Sequence, residues 1–186
     1  MKMDKKIALG IVAPLMFLTT VPETAEESGS ALELSANVAV VSDYRFRGIS
    51  LSDKDIAIQG GIDLSHESGF FIGTWASSID DYAGANTELD LYGGYASSAG
   101  AVDYSVTALY YAYPGGSGVD YFEVMATVGT SVGPASVGLE AAWVPDQNSF
   151  GGDNVYVAAT AEVPFGESCL AAFGHVGFED GDVYDK

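Results

Sequence analysis

The stretch ELDLYGGYASSAGAVDYSVTALYY (residues 88–111) alternates polar and apolar side chains, turns at residues 98–100, and then alternates again. Successive side chains of an extended chain point to opposite faces, so Glu88 and Asp90 share one face and the leucines that follow them share the other. The turn is short and contains a glycine, which supplies the backbone freedom that tight turns need. The stretch therefore predicts two antiparallel β-strands joined by a short turn.

This pattern of about ten alternating residues followed by a turn recurs about nine times along the chain. The connections alternate in length. Short turns fall at residues 67–69, 98–100 and 132–134, and longer polar loops at residues 42–55, 81–86, 115–120 and 145–153. Short turns at one end and longer loops at the other are typical of an up-and-down barrel that crosses a bacterial outer membrane.

Periodicity alone does not separate a membrane barrel from a soluble β-sandwich, because the apolar face meets lipid in the first and the protein core in the second. Strand length favours the membrane barrel, since ~10 residues match a tilted spanning strand and exceed the ~5–6 usual in soluble sheets. Aromatic residues near the strand ends suggest the girdles of such barrels. They are Tyr110, Tyr111, Tyr113, Tyr121, Phe122 and Trp143 on the long-loop side, and Phe70, Phe71 and Phe165 on the short-turn side.

We therefore expect an all-β, antiparallel, up-and-down transmembrane β-barrel. Bacterial single-chain barrels have an even number of strands, and an open sheet would expose unpaired strand edges to lipid. The sequence also lacks a terminal strand that ends in an aromatic residue. We expect residues 32–186 to form a barrel domain truncated at its C-terminus, with about nine strands present of a total of about twelve.

The first part of the chain has the features of a secretory signal peptide. Residues 1–6 carry three lysines, and residues 7–21 form an apolar run. A retained anchor is the weaker interpretation, because the run is short and contains Pro14. We predict a signal peptide over residues 1–31, cleaved between residues 25 and 31, and hence export to the bacterial outer membrane.

The chain is strongly acidic, with 26 aspartates and glutamates against 7 lysines and arginines and a formal net charge of −19. Binding of nucleic acid is excluded, because phosphate contacts require a basic face. Two interpretations of the acidity remain open. In the first, the acidic residues keep the protein soluble or adapt it to a salty habitat. In the second, some of the carboxylates line a pore and favour cations.

No pattern in the sequence indicates catalysis, a cofactor or a metal. The single cysteine, Cys169, excludes an intrachain disulfide and fits a buried, inert thiol. The two histidines, His66 and His175, pair with no recognisable serine nucleophile or metal cluster. Residues 146–151 begin like a calcium loop, but Phe150 occupies a ligand position and Val157 replaces the closing glutamate. We predict that the protein is not an enzyme.

The candidate pore-lining residues are the carboxylates that alternation places opposite the apolar face. Alternatively, a narrow barrel fills its interior with such groups, paired and impermeable. The candidates are Glu33, Asp63, Glu88, Asp90, Asp103, Glu123, Glu140 and Glu162.

Arg45 and Arg47 are two of the few cations, and alternation predicts that both point to the same side of an extended segment. Two roles are open for them. They pair with loop or lumen carboxylates and hold the first long loop in place, or they bracket a constriction opposite Glu88, Asp90 or Glu123 and create a transverse field across the pore.

Several motifs, taken in order, carry a resemblance to a known family. They are ELSANV (residues 33–38), FRGIS (46–50), AIQGG (57–61), HESGF (66–70) and ELDLYGGY (88–95). In this order they resemble the TorF-type porins, and the resemblance runs from about Leu32 to Phe178. It implies a signal peptide, an outer-membrane barrel and a role in transport, with no established substrate and no catalytic residues. Arg45 departs from the apolar residue expected there and adds charge to the first loop.

The sequence thus predicts a channel for passive diffusion of small solutes or cations through an acidic lumen. The alternative is a closed structural or surface-binding barrel that acts through its external loops. A soluble secreted β-protein is a third interpretation. The expected partners are outer-membrane lipid and small solutes or cations, and homo-oligomerisation is left open.

Overall fold

The computed structural model describes residues 31–149, 151–166 and 170–181, and these residues form eleven β-strands. The strands are β1 (Leu32–Val41), β2 (Arg45–Phe46), β3 (Ile49–Ser50), β4 (Ala57–His66), β5 (Phe70–Tyr82), β6 (Ala85–Ala99), β7 (Val102–Ala112), β8 (Tyr121–Val132), β9 (Ala135–Val144), β10 (Asn154–Pro164) and β11 (Ala171–Gly181). Over those ranges no helix is long and apolar enough to cross a membrane. The predicted signal peptide, apart from Ala31, and Cys169 lie outside the described residues.

Nine of the strands form one antiparallel sheet in the order β1-β4-β5-β6-β7-β8-β9-β10-β11, and β2 and β3 form a separate small hairpin. Each strand of the large sheet pairs with the next along the chain, so the predicted all-β, antiparallel, up-and-down arrangement is confirmed. Closure into a transmembrane barrel stays a prediction. The edge strands of the sheet are β1 and β11, and across the described ranges no pairing joins these two strands.

The structure corrects several predicted boundaries. The longer loop predicted at residues 81–86 is reduced to the two residues Ala83 and Gly84, because β5 runs to Tyr82 and β6 begins at Ala85. The turn predicted at residues 98–100 lies at residues 100–101, between β6 and β7. Residues 42–55, predicted as a loop, contain the hairpin β2–β3. Two-residue strands have no measurable alternation, which is why the sequence pattern misses them.

The two faces of the large sheet have opposite character, and we call them the outer and the inner face. The outer face is apolar and open. Many of its large residues are more than half exposed, among them Leu34, Val38, Ile58, Ile72, Val106 and Leu139. The inner face carries the buried polar groups, among them Ser77, Glu88, Asp90, Thr107 and Glu123. A soluble β-sandwich has its apolar face buried and its polar face in water, so this arrangement is the reverse.

The sheet curls around its inner face. Laid flat, nine strands would separate β1 from β11 by about 38 Å. Arg47 lies six residues beyond the end of β1 at Val41, a reach of about 20 Å for extended chain. Its side chain nevertheless contacts Glu179 on β11 at 3.3 Å. The last strand is therefore brought round towards the loop that follows the first.

Candidate functional site

The first loop (residues 42–56) folds over the inner face at the long-loop end of the sheet. Asp43 ties the loop together by accepting hydrogen bonds from Arg45 Nε and Ser50 Oγ, both at 2.6 Å. The hydrogen bond from Ser50 is the main cause that lowers the pKa of Asp43, and the charge of Arg45 adds to it. Arg47 and Gly48 form the two-residue turn between β2 and β3, with φ of 48° and 86°. Positive φ at both positions is typical of a tight β-hairpin, and it places Arg47 at the tip.

Three further hydrogen bonds fix the shape and position of the loop. The backbone N–H of Tyr44 donates to Ser52 Oγ at 2.9 Å, and the N–H of Leu51 donates to the Tyr44 carbonyl at 2.8 Å. The Asp80 N–H on β5 donates to the Leu51 carbonyl at 2.8 Å, which attaches the loop to the large sheet. The Tyr44 ring packs edge-on against Trp75, with centroids 5.4 Å apart. The loop is therefore a structured part of the interior.

The guanidinium of Arg47 occupies an enclosed site made by three strands. Nη2 donates to Glu123 Oε2 at 2.6 Å, and Nη1 donates to Glu179 Oε1 at 3.3 Å. The guanidinium carbon lies 4.4 Å from the centre of the Tyr156 ring and 4.6 Å from that of Phe46. Burial by itself would lower the pKa of Arg47, but the charges of Glu123, Tyr111 and Glu179 and the hydrogen bond to Glu123 together outweigh it, and the pKa is raised. We call Glu123, Glu179 and Tyr156 the Arg47 site.

Tyrosine hydroxyls satisfy the two most deeply buried carboxylates. Glu88 accepts from Tyr44 at 2.7 Å and from Tyr113 at 3.0 Å, and Glu123 accepts from Tyr111 at 3.1 Å. Both glutamates are 1% exposed. Burial, followed by the neighbouring charge of Glu88, raises the pKa of Tyr44 well above its ordinary value. At neutral pH the Tyr44 hydroxyl is therefore protonated and able to donate.

Asp90 is the one member of this carboxylate group with an unsatisfied oxygen in the described part of the chain. Asp90 is 8% exposed, and its Oδ1 has no hydrogen-bond partner. It lies on the inner face opposite Trp75 and Tyr111, close enough to Glu88 and Glu123 for their charges to interact. The interior at this end thus holds three buried carboxyl groups, of which Glu123 pairs with Arg47.

Strand register places all eight predicted carboxylates on the inner face. They differ in depth. Glu33, Asp103 and Glu162 are exposed at the short-turn end, Asp63 and Glu140 are half-buried, and Glu88, Asp90 and Glu123 are buried beneath the first loop. Whether any of them lines a conducting pore stays a prediction.

The two arginines do not act as a pair. The prediction that both point to one side of an extended segment is wrong, because the chain turns at Arg47. Arg45 stays in its own loop, paired with Asp43 and donating to the Gly48 carbonyl at 3.1 Å, whereas Arg47 enters the interior. Pairing with carboxylates, the first of the two proposed roles, describes the contacts that both side chains make. The transverse field stays a prediction.

The aromatic residues of the long-loop side divide between the two faces. Tyr110, Phe122 and Trp143 are exposed on the outer face, as a girdle requires. Tyr111, Tyr113 and Tyr121, predicted for the same girdle, are instead buried inside the sheet. Alternation carries the signal that separates them, because Tyr111 continues the polar face of Asp103, Ser105 and Thr107, and Tyr121 that of Glu123.

A glycine on β11 makes room for the aromatic wall of the Arg47 site. A Cβ at Gly177 would lie 2.1 Å from the Tyr156 hydroxyl oxygen. This opening lets the Tyr156 ring lie across β11, where its hydroxyl forms a short hydrogen bond with His175 Nε2. Gly177 and His175 on β11 therefore set the position of the Tyr156 ring, whose face contacts Arg47. No group of His, Cys, Asp and Glu within the described ranges is arranged to hold a metal ion.

The fold and the site together define an all-β protein whose sheet is apolar outside and acidic inside, with its first loop folded into the interior. Residues 25–186 match a family described as "Bacterial protein of unknown function (Gcw_chp)", and the chain belongs to that family. The description gives that family no activity and no porin name. No curated protein and no solved structure matches the chain.

Proposed function

We propose that this protein is an outer-membrane β-barrel channel for the passive diffusion of small solutes or cations, with an acidic lumen and no catalytic activity. The observation that carries the proposal is the reversed polarity of the sheet. Apolar side chains are exposed on the outer face, while Glu88, Asp90 and Glu123 are buried on the inner face. This is the distribution expected of a barrel in lipid. The resemblance of its motifs to TorF-type porins supports the same class.

The inner face suits cations better than anions. Eight carboxylates lie on it by register, and Arg47 is the cation that reaches them from the first loop within the described residues. Fixed carboxylates in a narrow aqueous passage raise the local concentration of cations. We therefore infer a cation-preferring channel, closed into a barrel by pairing beyond that of the nine strands described.

The first loop is the gate of this proposed channel. Arg47 reaches Glu123 and Glu179, and Tyr44 reaches Glu88, so the loop bridges strands on several sides of the curled sheet. A loop held across the interior narrows the passage at the long-loop end. Loss of the Arg47 contacts should widen it.

The same loop favours the alternative function. Buried tyrosines pack in the same interior as the loop, and Tyr111 stacks on Tyr121 with ring centroids 4.4 Å apart. If this packing closes the passage permanently, the protein is a structural or surface-binding barrel that acts through its external loops.

Single-channel recording in a planar bilayer separates the two functions. The full natural protein is reconstituted across a potassium chloride gradient and compared with Arg47→Ala, with Arg45→Ala as the matched control because Arg45 pairs only within the loop. We expect cation-selective steps, with a larger conductance in Arg47→Ala than in the other two proteins. Silent bilayers from all three, with insertion shown independently, would reject the channel and support the structural barrel.

A further inference from the structure

The Arg47 site has the composition of a receptor for organic cations. Two carboxylates and the face of a tyrosine ring surround the guanidinium, and the arginine side chain within it is 9% exposed. Carboxylates bind guanidinium and ammonium groups through charge-assisted hydrogen bonds, and ring faces attract cations. We propose that this is a binding site for small solutes bearing a guanidinium or primary ammonium group, which the chain's own Arg47 occupies when the first loop is closed.

Arg47 fits the site incompletely. Its Nε is buried without a hydrogen-bond partner, and its contact with Glu179 is 3.3 Å against 2.6 Å for Glu123. A free guanidinium is not tied to a loop, so the whole planar group is able to shift and rotate until its N–H groups meet the acceptors of the site. A solute can therefore make contacts here that a side chain anchored at a hairpin tip does not make.

The surroundings of the site hold more carboxyl groups than the one guanidinium of Arg47 contacts. The carboxylates of Glu88, Asp90 and Glu123 lie close together in the interior, and Asp90 Oδ1 is buried with no partner. An unpartnered buried oxygen is a free acceptor for a cationic donor. It is an observation independent of the Arg47 contacts, and it points to the same class of ligand.

The proposal names a solute class for the proposed channel and rests on that function only for transport, since binding itself needs no membrane. Entry of a cationic solute would displace Arg47 and release the tip of the first loop. The solute and the loop therefore compete for Glu123 and Glu179.

Chemical rescue in detergent tests the site directly. Full-length Arg47→Ala is titrated with methylguanidinium by isothermal calorimetry, with urea as the neutral planar analogue and Arg45→Ala as the matched variant. We expect methylguanidinium to bind Arg47→Ala at one site at least tenfold more tightly than the natural protein or Arg45→Ala, and urea not to bind. A second substitution, Glu123→Gln, added to Arg47→Ala should abolish binding.

Arg47→Gly provides the same vacancy if Arg47→Ala does not fold, because glycine suits the φ of 48° at this position. Absence of methylguanidinium binding to a folded Arg47 variant, or equal binding of urea, would overturn the proposal. Binding of methylguanidinium, together with no conductance in the planar bilayer, would support the site and reject the channel. Conductance without binding would reject the site alone.

Discussion

Arg47 is the residue on which the interior depends, because it brings positive charge from a loop into a set of buried carboxylates. A buried ion pair contributes little net stability when intact, since both partners lose water. Removing one partner is costly, because the remaining charge is left buried. Position on the inner face alone therefore does not decide what a carboxylate contributes; the charge that it contacts does.

We expect Glu123→Gln to lower the free energy of unfolding by about 3 kcal/mol, at the lower end for a broken buried ion pair because Glu179 still contacts Arg47. Urea unfolding of the protein in lipid vesicles measures this. Glu162→Gln is the control, because Glu162 is exposed on the same face, and it should change stability by less than about 0.5 kcal/mol. Equal effects of the two substitutions would contradict the assignment.

Gly177→Ala should disturb the same site through the ring beneath it. The added methyl would meet the Tyr156 hydroxyl at 2.1 Å, so the ring must move away from Arg47. We expect a loss of about 1–3 kcal/mol, typical of overpacking. Gly174→Ala on the same strand meets its nearest atom only at 4.0 Å and should be nearly neutral in the same urea experiment. A neutral Gly177→Ala would show that the ring has room to shift.

At the scale of elements, the first loop is held both by hydrogen bonds within the loop and by contacts with distant strands. Its hairpin depends on Asp43, whose pKa is lowered in the folded protein by Ser50 and Arg45. The unfolded chain therefore binds this proton more tightly than the folded one. The stabilising contribution of Asp43 is present at neutral pH and is lost as the pH falls below about 3.9, the ordinary value for aspartate, towards the lowered value.

We expect the loop to loosen over that acidic range and Asp43→Asn to be loosened already at neutral pH. Trp75, which packs against Tyr44, reports the change by its fluorescence in a Trp143→Phe background. Asp53→Asn is the control, since Asp53 is exposed in the same loop and should leave the acid transition in place. An unchanged acid transition in Asp43→Asn would assign it to another group.

The elements also show how much of the fold could be predicted from the sequence. Alternation and turn spacing are local, so the large strands and the face of each of the eight carboxylates could be predicted. The hairpin β2–β3 and the entry of Arg47 could not, because its partners Glu123 and Glu179 lie 76 and 132 residues away. The prediction of Tyr111, Tyr113 and Tyr121 for an outer girdle is wrong for a different reason. Their chemistry fits either a membrane interface or a polar interior, and alternation alone separates these environments.

At the scale of the whole molecule, the open apolar face determines which solvent the fold requires. Val106 lies near the middle of β7 on this face and is 53% exposed. In water, an exposed valine tolerates arginine with a change of less than about 0.5 kcal/mol. In lipid, arginine near the midplane of a barrel costs about 2–4 kcal/mol. The position therefore distinguishes a membrane barrel from a soluble β-protein.

We expect Val106→Arg to destabilise the protein folded in lipid vesicles by about 2–4 kcal/mol, the cost expected in lipid. Urea titration measures this change. Ser68→Arg, in an exposed short turn, is the control and should be tolerated. Folding of the natural protein in detergent-free buffer, with Val106→Arg equally stable there, would reject the membrane assignment.

The long separation between Arg47 and its partners has a consequence for biogenesis. Every strand of the large sheet pairs with its neighbour in sequence, so the sheet is able to grow in the order in which the chain is made. Glu123 arrives with β8, and Glu179 only with β11. Before β8 is in place Arg47 at the hairpin tip lacks Glu123, and before β11 is in place it still lacks Glu179. Docking of the first loop therefore marks an assembled sheet, and an unfinished intermediate is distinguishable from the mature protein by that one accessible side chain.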